Sequence, residues 1–77
     1  MAAMRREVSA IRDFLHGHAE RPSDERLCDM VQFCYTLELY HEGCDLFALV
    51  DRTRVNSWHY ERTRKLARIC ELKCNHS

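Results

Sequence analysis

Residues 24–51 read DERLCDMVQFCYTLELYHEGCDLFALVD, and the fold turns on how this stretch divides. Leu27, Met30, Val31, Cys34 and Leu37 recur at helical steps, so at about 100° per residue they cluster within roughly 120°. Tyr40, Gly43, Cys44, Phe47 and Val50 repeat those steps, but their stripe lies roughly 140° away if the helix continues. A single straight helix would have to bury two different faces. A break near Glu38–Tyr40 removes the conflict and predicts two helices, over 24–38 and 41–51. Ser23 is a good N-cap for the first, and Asp24 and Glu25 put acids where the helix dipole favours them.

Toward the N-terminus, Met4, Val8, Ile11, Phe14 and Leu15 fall at helical spacing, with Gly17 as a natural stop. This predicts a helix over 3–16 and a linker through Pro22. Toward the C-terminus, Asp51 to Ser57 reads as a loop ending in a capping residue. A helix follows over 58–74, with Trp58, Leu66, Ile69 and Cys70 as its apolar positions and Ala67 and Leu72 at their edges. No segment shows the strict alternation of a half-buried strand. Two Gly and one Pro among 77 residues suit helices joined by short turns. The expected fold is therefore all-α: one domain, residues 1–77, built as a small bundle of about four helices. Its expected core includes Leu27, Val31, Cys34, Tyr40, Gly43, Phe47, Leu66 and Ile69.

Apolar residues at 45% and charged residues at 31% exclude a disordered tail. No stretch approaches the roughly 20 apolar residues that span a bilayer. Met1 to Arg6 is followed by Glu7 and Asp13, with no apolar run of signal-peptide length. The expectation is an intracellular, cytoplasmic chain with reduced cysteines and no membrane contact. A chain this short buries only roughly 60% of its unfolded surface, so a partner, a metal or a disulfide often completes such domains. Net charge is zero but uneven. Residues 1–50 hold five Arg and no Lys against nine acids, a net of −4, and residues 51–77 hold seven bases against three acids, a net of +4. Such an asymmetry fits a basic face for an acidic partner, two halves that attract each other, or head-to-tail association with a second copy.

Leu39-Tyr40-His41-Glu42-Gly43-Cys44-Asp45-Leu46-Phe47 resembles the second-helix segment of a tetratricopeptide repeat. In that family a tyrosine starts the helix, a small residue follows three positions later, and an aromatic comes four after that. Tyr40, Gly43 and Phe47 keep this order, and Trp58 resembles the aromatic that opens a following repeat. Glu38 stands where the family has a glycine between its helices. The match covers about residues 27–60. It implies stacked helical hairpins in which the small residue allows close approach and the aromatics fill the gap between hairpins. It also implies a protein-binding role; small single-hairpin relatives include chaperones that hold a secretion-system subunit.

The residues with chemistry are the five cysteines and the basic C-terminal stretch. Cys70, Cys74 and His76 could supply zinc ligands, completed by His41 or Cys44, but a zinc site usually needs two close Cys pairs and only one is present. Cys34 and Cys44, nine residues apart, resemble half of the twin CX9C pattern of small oxidised helical hairpins; its second half is absent. In an antiparallel arrangement Cys34 would lie near Cys70 or Cys74. No Ser/His/Asp arrangement, HExxH or phosphate-cradling glycine loop occurs, and a Cys44–His41 dyad has nothing beyond proximity in sequence to recommend it. No enzyme, cofactor or resident metal is expected. Arg52, Arg54, Arg62, Arg64, Lys65, Arg68 and Lys73 form the strongest functional feature, read as a solvated face, a patch for an acidic protein or, less in keeping with zero net charge, a nucleic-acid site.

The reading is of a non-catalytic protein-interaction module, an adaptor or small chaperone-like subunit that binds a partner helix or peptide, with homo- or hetero-oligomers open. Expected binding residues are Tyr35, Tyr60, Trp58, Arg62, Arg64, Lys65 and Arg68: aromatic anchors beside charges that steer association. The alternatives are a zinc- or disulfide-stapled structural protein and a small nucleic-acid binder using the basic helix.

Overall fold

Four α-helices and a 3-10 turn carry the regular structure, with no strand among the described residues: α1 (Ala2–Leu15), α2 (Asp24–Thr36), α3 (Tyr40–Phe47), the turn Arg52–Arg54, and α4 (Ser57–Cys74). The structure is a computed structural model that describes residues 2–75, with side chains from Arg5 onward, so the Met4 side chain and His76 lie outside the described residues. The fold is an all-α small bundle.

Local chemistry explains most boundaries. Ser23 caps α2, its side-chain oxygen accepting from the Arg26 N–H at 3.2 Å. Asn56 does the same for α4, accepting from the Trp58 N–H at 2.9 Å. Helix α2 ends where the two stripes conflict, with three residues between it and α3. The Glu38 N–H donates to the Tyr35 carbonyl at 3.2 Å and the Leu39 N–H to the Cys34 carbonyl at 2.8 Å. This is the Schellman pattern, which needs a left-handed residue at its centre. Glu38 supplies it at φ 61°. Helix α3, expected to reach residue 51, stops at Phe47. The Leu49 and Val50 N–H groups turn back to the Leu46 and Phe47 carbonyls at 3.0 and 3.1 Å, tightening the chain into the Asp51 turn.

Helices α2, α3 and α4 pack against one another, and α1 lies on α3. The core is Ile11 from α1, Leu27, Met30, Val31 and Cys34 from α2, Leu46 from α3 and Ala67 from α4, with Phe47 partly buried against it. The core reading needs correcting at three positions. Tyr40 is half-buried, and Leu46 takes the fully buried place on α3, with Phe47 packed against the core as expected. Leu66 and Ile69 are half-buried too, because α4 turns Thr63, Ala67 and Cys70 inward instead. The reason is distance. A Cβ added at Gly43 would lie 3.2 Å from Cys70 Sγ and 3.4 Å from Cys34 Cβ. Three helices meet so closely at Gly43 that α4 can present only small side chains there. Thr63 is buried with its hydroxyl satisfied, donating to the His59 carbonyl at 2.9 Å and accepting from Gln32 Nε2 at 3.2 Å.

A polar clamp joins distant segments. Asp24 Oδ1 accepts from Arg21 at 2.8 Å and from the Asp51 N–H at 2.9 Å, while Arg21 also donates to the Leu49 carbonyl at 2.8 Å. The linker, the start of α2 and the end of α3 are thus held at one point. The Arg21 hydrogen bond, then the Asp51 N–H, lower the pKa of Asp24. Among the described residues no helix is long and apolar enough to cross a membrane.

Candidate functional site

Helix α4 has a buried side and an outer side. With Thr63, Ala67 and Cys70 turned inward, the opposite positions run Trp58, Arg62, Lys65, Ile69 and Leu72. Their spacing alternates four, three, four, three. That alternation forms a straight seam along a helix and is the spacing by which two helices lie side by side. The seam holds exposed apolar surface: Trp58 is 69% exposed and Leu72 47%, with Ile69 half-buried between flanking residues. Trp58 has no place in the core: it lies in the first turn of α4, two residues after the Asn56 cap, on the side opposite Thr63, Ala67 and Cys70. The Arg62 guanidinium lies 5.7 Å from the centre of its ring, a cation–π contact within the seam itself.

The basic residues of α4 divide between two stripes. Arg64 pairs with Glu61 at 2.8 Å and Arg68 with Glu71 at 3.3 Å, each three residues along the same helix. Those two arginines line a cleft of about 340 Å³ toward α3, with Cys44, Phe47, Ala48 and Ala67, and their charge is balanced locally. Arg62, Lys65 and Lys73 make no ion pair among the described residues. The outer seam therefore keeps an unbalanced positive charge at its middle.

Of the aromatic anchors expected from the sequence, only Trp58 faces solvent freely. Tyr60 stacks on Phe47, ring centres 5.4 Å apart, with the Arg52 guanidinium 5.5 Å from its ring. It packs the α3–α4 junction, which corrects its reading as a surface anchor; its angular position on α4 faces α3, where Phe47 has been left half-buried. Tyr35 is half-buried on α2, away from the seam. Trp58, Arg62 and Lys65 are brought together, Arg64 and Arg68 lie on the neighbouring stripe, and Ile69 and Leu72 join the seam. The four–three spacing was the signal that could have assigned them.

Cys34, Cys44 and Cys70 gather where α2, α3 and α4 meet, with Cys74 beside Cys44, while Cys28 is buried near Thr63. Burial pushes Cys34 up to about 12 and, with Cys74 hydrogen-bonded beside it, Cys44 up to about 11. Burial also raises Cys28 and Cys70. The thiolate is the nucleophile and the metal ligand, so these raised groups are held in the unreactive form at neutral pH. Among the described residues no group of three or more His, Cys, Asp or Glu could hold a metal ion; the Cys70–Cys74–His76 arrangement reaches outside them at His76.

Compared with known proteins, the chain matches no family model, no curated protein and no solved structure.

Proposed function

We propose that this chain is a non-catalytic protein-interaction module, a tetratricopeptide-like hairpin of α2 and α3 followed by α4, whose outer seam docks a partner protein. The observation that carries the reading is the exposure of Trp58 in line with Ile69 and Leu72. A folded chain of this size gains by burying such side chains, and aromatic anchors are favoured where proteins meet. The hairpin resemblance is supported by Gly43, whose missing Cβ admits both neighbouring helices, and by Glu38, which takes the left-handed turn where the family has glycine. An adaptor or small chaperone-like subunit fits this arrangement.

The test compares wild type with Leu72→Glu, which puts a charge at an exposed position and leaves the core untouched. Both are purified from the protein's own cells, and both should show the same helical circular dichroism. The expected outcome is a protein that co-purifies in fixed proportion with wild type and is lost from the variant. Equal recovery with both, or no recovered protein with either, overturns the reading.

A further inference from the structure

The seam on α4 is patterned along its length. Trp58 occupies one end, Ile69 and Leu72 the other, and Arg62 and Lys65 the middle, over about 21 Å at 1.5 Å per residue. Among the described residues neither cation has an acid to pair with, whereas Arg64 and Arg68 each do. We infer that the element docking here is an acidic amphipathic helix, lying along α4 with carboxylates opposite Arg62 and Lys65 and apolar side chains opposite Trp58 and the Ile69–Leu72 pair. This rests on the protein-docking reading above and gives its partner a chemistry.

Charge complementarity selects this occupant over a second copy. Two α4 seams laid together, parallel or antiparallel, would bring four cations to the middle of one interface, and like charges juxtaposed there oppose pairing. An incoming helix with acids at the two central seam positions removes that repulsion and gives each cation a hydrogen-bonded carboxylate. Apolar groups at its ends cover Trp58 and Leu72. The four–three alternation sets the register that the partner must share.

The experiment uses the sole tryptophan of the chain as its reporter, since Trp58 lies in the seam. The probe is a helical peptide of about 18 residues, long enough to span the seam. It carries leucines at the outer seam positions and Glu at the two central ones; a second peptide carries Lys in place of Glu. The Glu peptide should shift Trp58 emission to the blue and bind roughly tenfold or more tightly than the Lys peptide, the preference fading as salt shortens the screening length. Arg62→Glu with Lys65→Glu, both exposed positions, should reverse the preference while keeping the helical spectrum. Arg64→Glu with Arg68→Glu, on the other stripe, should leave it unchanged.

Equal binding of the two peptides overturns the acidic partner and leaves protein docking standing. No shift with either peptide overturns docking at this face as well. A blue shift that grows with protein concentration alone, with a doubled mass in solution, makes a second copy the occupant. Tighter binding of an oligonucleotide than of the Glu peptide makes it a nucleic acid. Either of these overturns the inference.

Discussion

Helices α1 and α2 end in the same pair of hydrogen bonds, but Gly17 takes the left-handed position after α1, at φ 79°, and Glu38 takes it after α2, at φ 61°. Behind Gly17 the Gly17 N–H reaches the Phe14 carbonyl at 3.0 Å and the His18 N–H the Asp13 carbonyl at 2.7 Å. Nothing lies within 4 Å of where a Cβ would stand, so that ending is set by the backbone alone, and glycine is the residue that reaches the conformation without steric cost. Glu38 joins α2 to α3, and both helices pack on each other and on α4. There the burial of Cys34, Leu46 and Cys70 holds the turn against the residue's own preference. Local punctuation is needed where tertiary contact is sparse, and packing can replace it where three helices meet.

The largest effect should come from crowding that meeting point. Gly43→Leu drives a side chain into Cys70 Sγ and Cys34 Cβ, which already stand at contact distance. The expected cost is about 3 kcal/mol, or a thermal midpoint lower by about 12–24 °C at this chain length. Gly43→Ala should stay within about 1 kcal/mol, because the better helix propensity of alanine offsets the crowding. Thermal unfolding followed by circular dichroism decides; a Leu variant as stable as wild type breaks the account of the three-helix junction. On the α1 side, Ile11 is the one fully buried anchor among the described side chains, at 1% exposure. Ile11→Ala should cost about 2 kcal/mol, the low end for such a truncation, because α1 can settle against α3. The loss should be uneven: amide hydrogens of α1 exchange faster while those of α2, α3 and α4 keep their protection. Uniform loss across all four helices would show that α1 is as tightly integrated as the rest.

The helices were legible because their signals are local. Ser23, Asp24, Glu25 and Gly17 mark ends within one turn, and the phase conflict between Leu27–Leu37 and Tyr40–Val50 located a break that no glycine or proline announces. What escaped was set by approach distance. Hydrophobicity put Leu66 and Ile69 inside, but proximity at Gly43 selects for small size, and Thr63, Ala67 and Cys70 face inward. The outer seam was therefore half legible: Trp58, Arg62 and Lys65 stood out by type, while Ile69 and Leu72 were carried only by the four–three spacing, which the reading of Ile69 as core obscured. The Arg21–Asp24–Asp51 clamp was not legible at all, since its ends lie 27 or more residues apart.

The two left-handed turns give a paired test with opposite signs. Gly17→Ala should destabilise by about 1 kcal/mol, because a Cβ is costly at positive φ even in open space. Glu38→Gly should stabilise by about 0.5–1 kcal/mol, relieving that cost at the price of a freer unfolded chain. Chemical denaturation midpoints at constant slope resolve both. If Glu38→Gly destabilises, the Glu38 side chain contributes something beyond the turn.

The smallest effect, one that fades in acid, should come from Asp24→Asn. Asparagine keeps an oxygen to accept from Arg21 and from the Asp51 N–H, and only the charge is lost. In the folded chain those two donors favour the carboxylate and hold the Asp24 pKa below its ordinary value of 3.8. A group depressed in this way contributes stability that is fully present above the unfolded pKa and disappears as pH falls through the folded one. Wild-type stability should therefore decline below about pH 4, and the Asn variant should decline less steeply there, so the gap between the two proteins narrows as the medium becomes more acidic. A gap that stays constant down to pH 2 would mean that the clamp works through its hydrogen-bond geometry alone, and that the linker is held to the three-helix unit without help from charge.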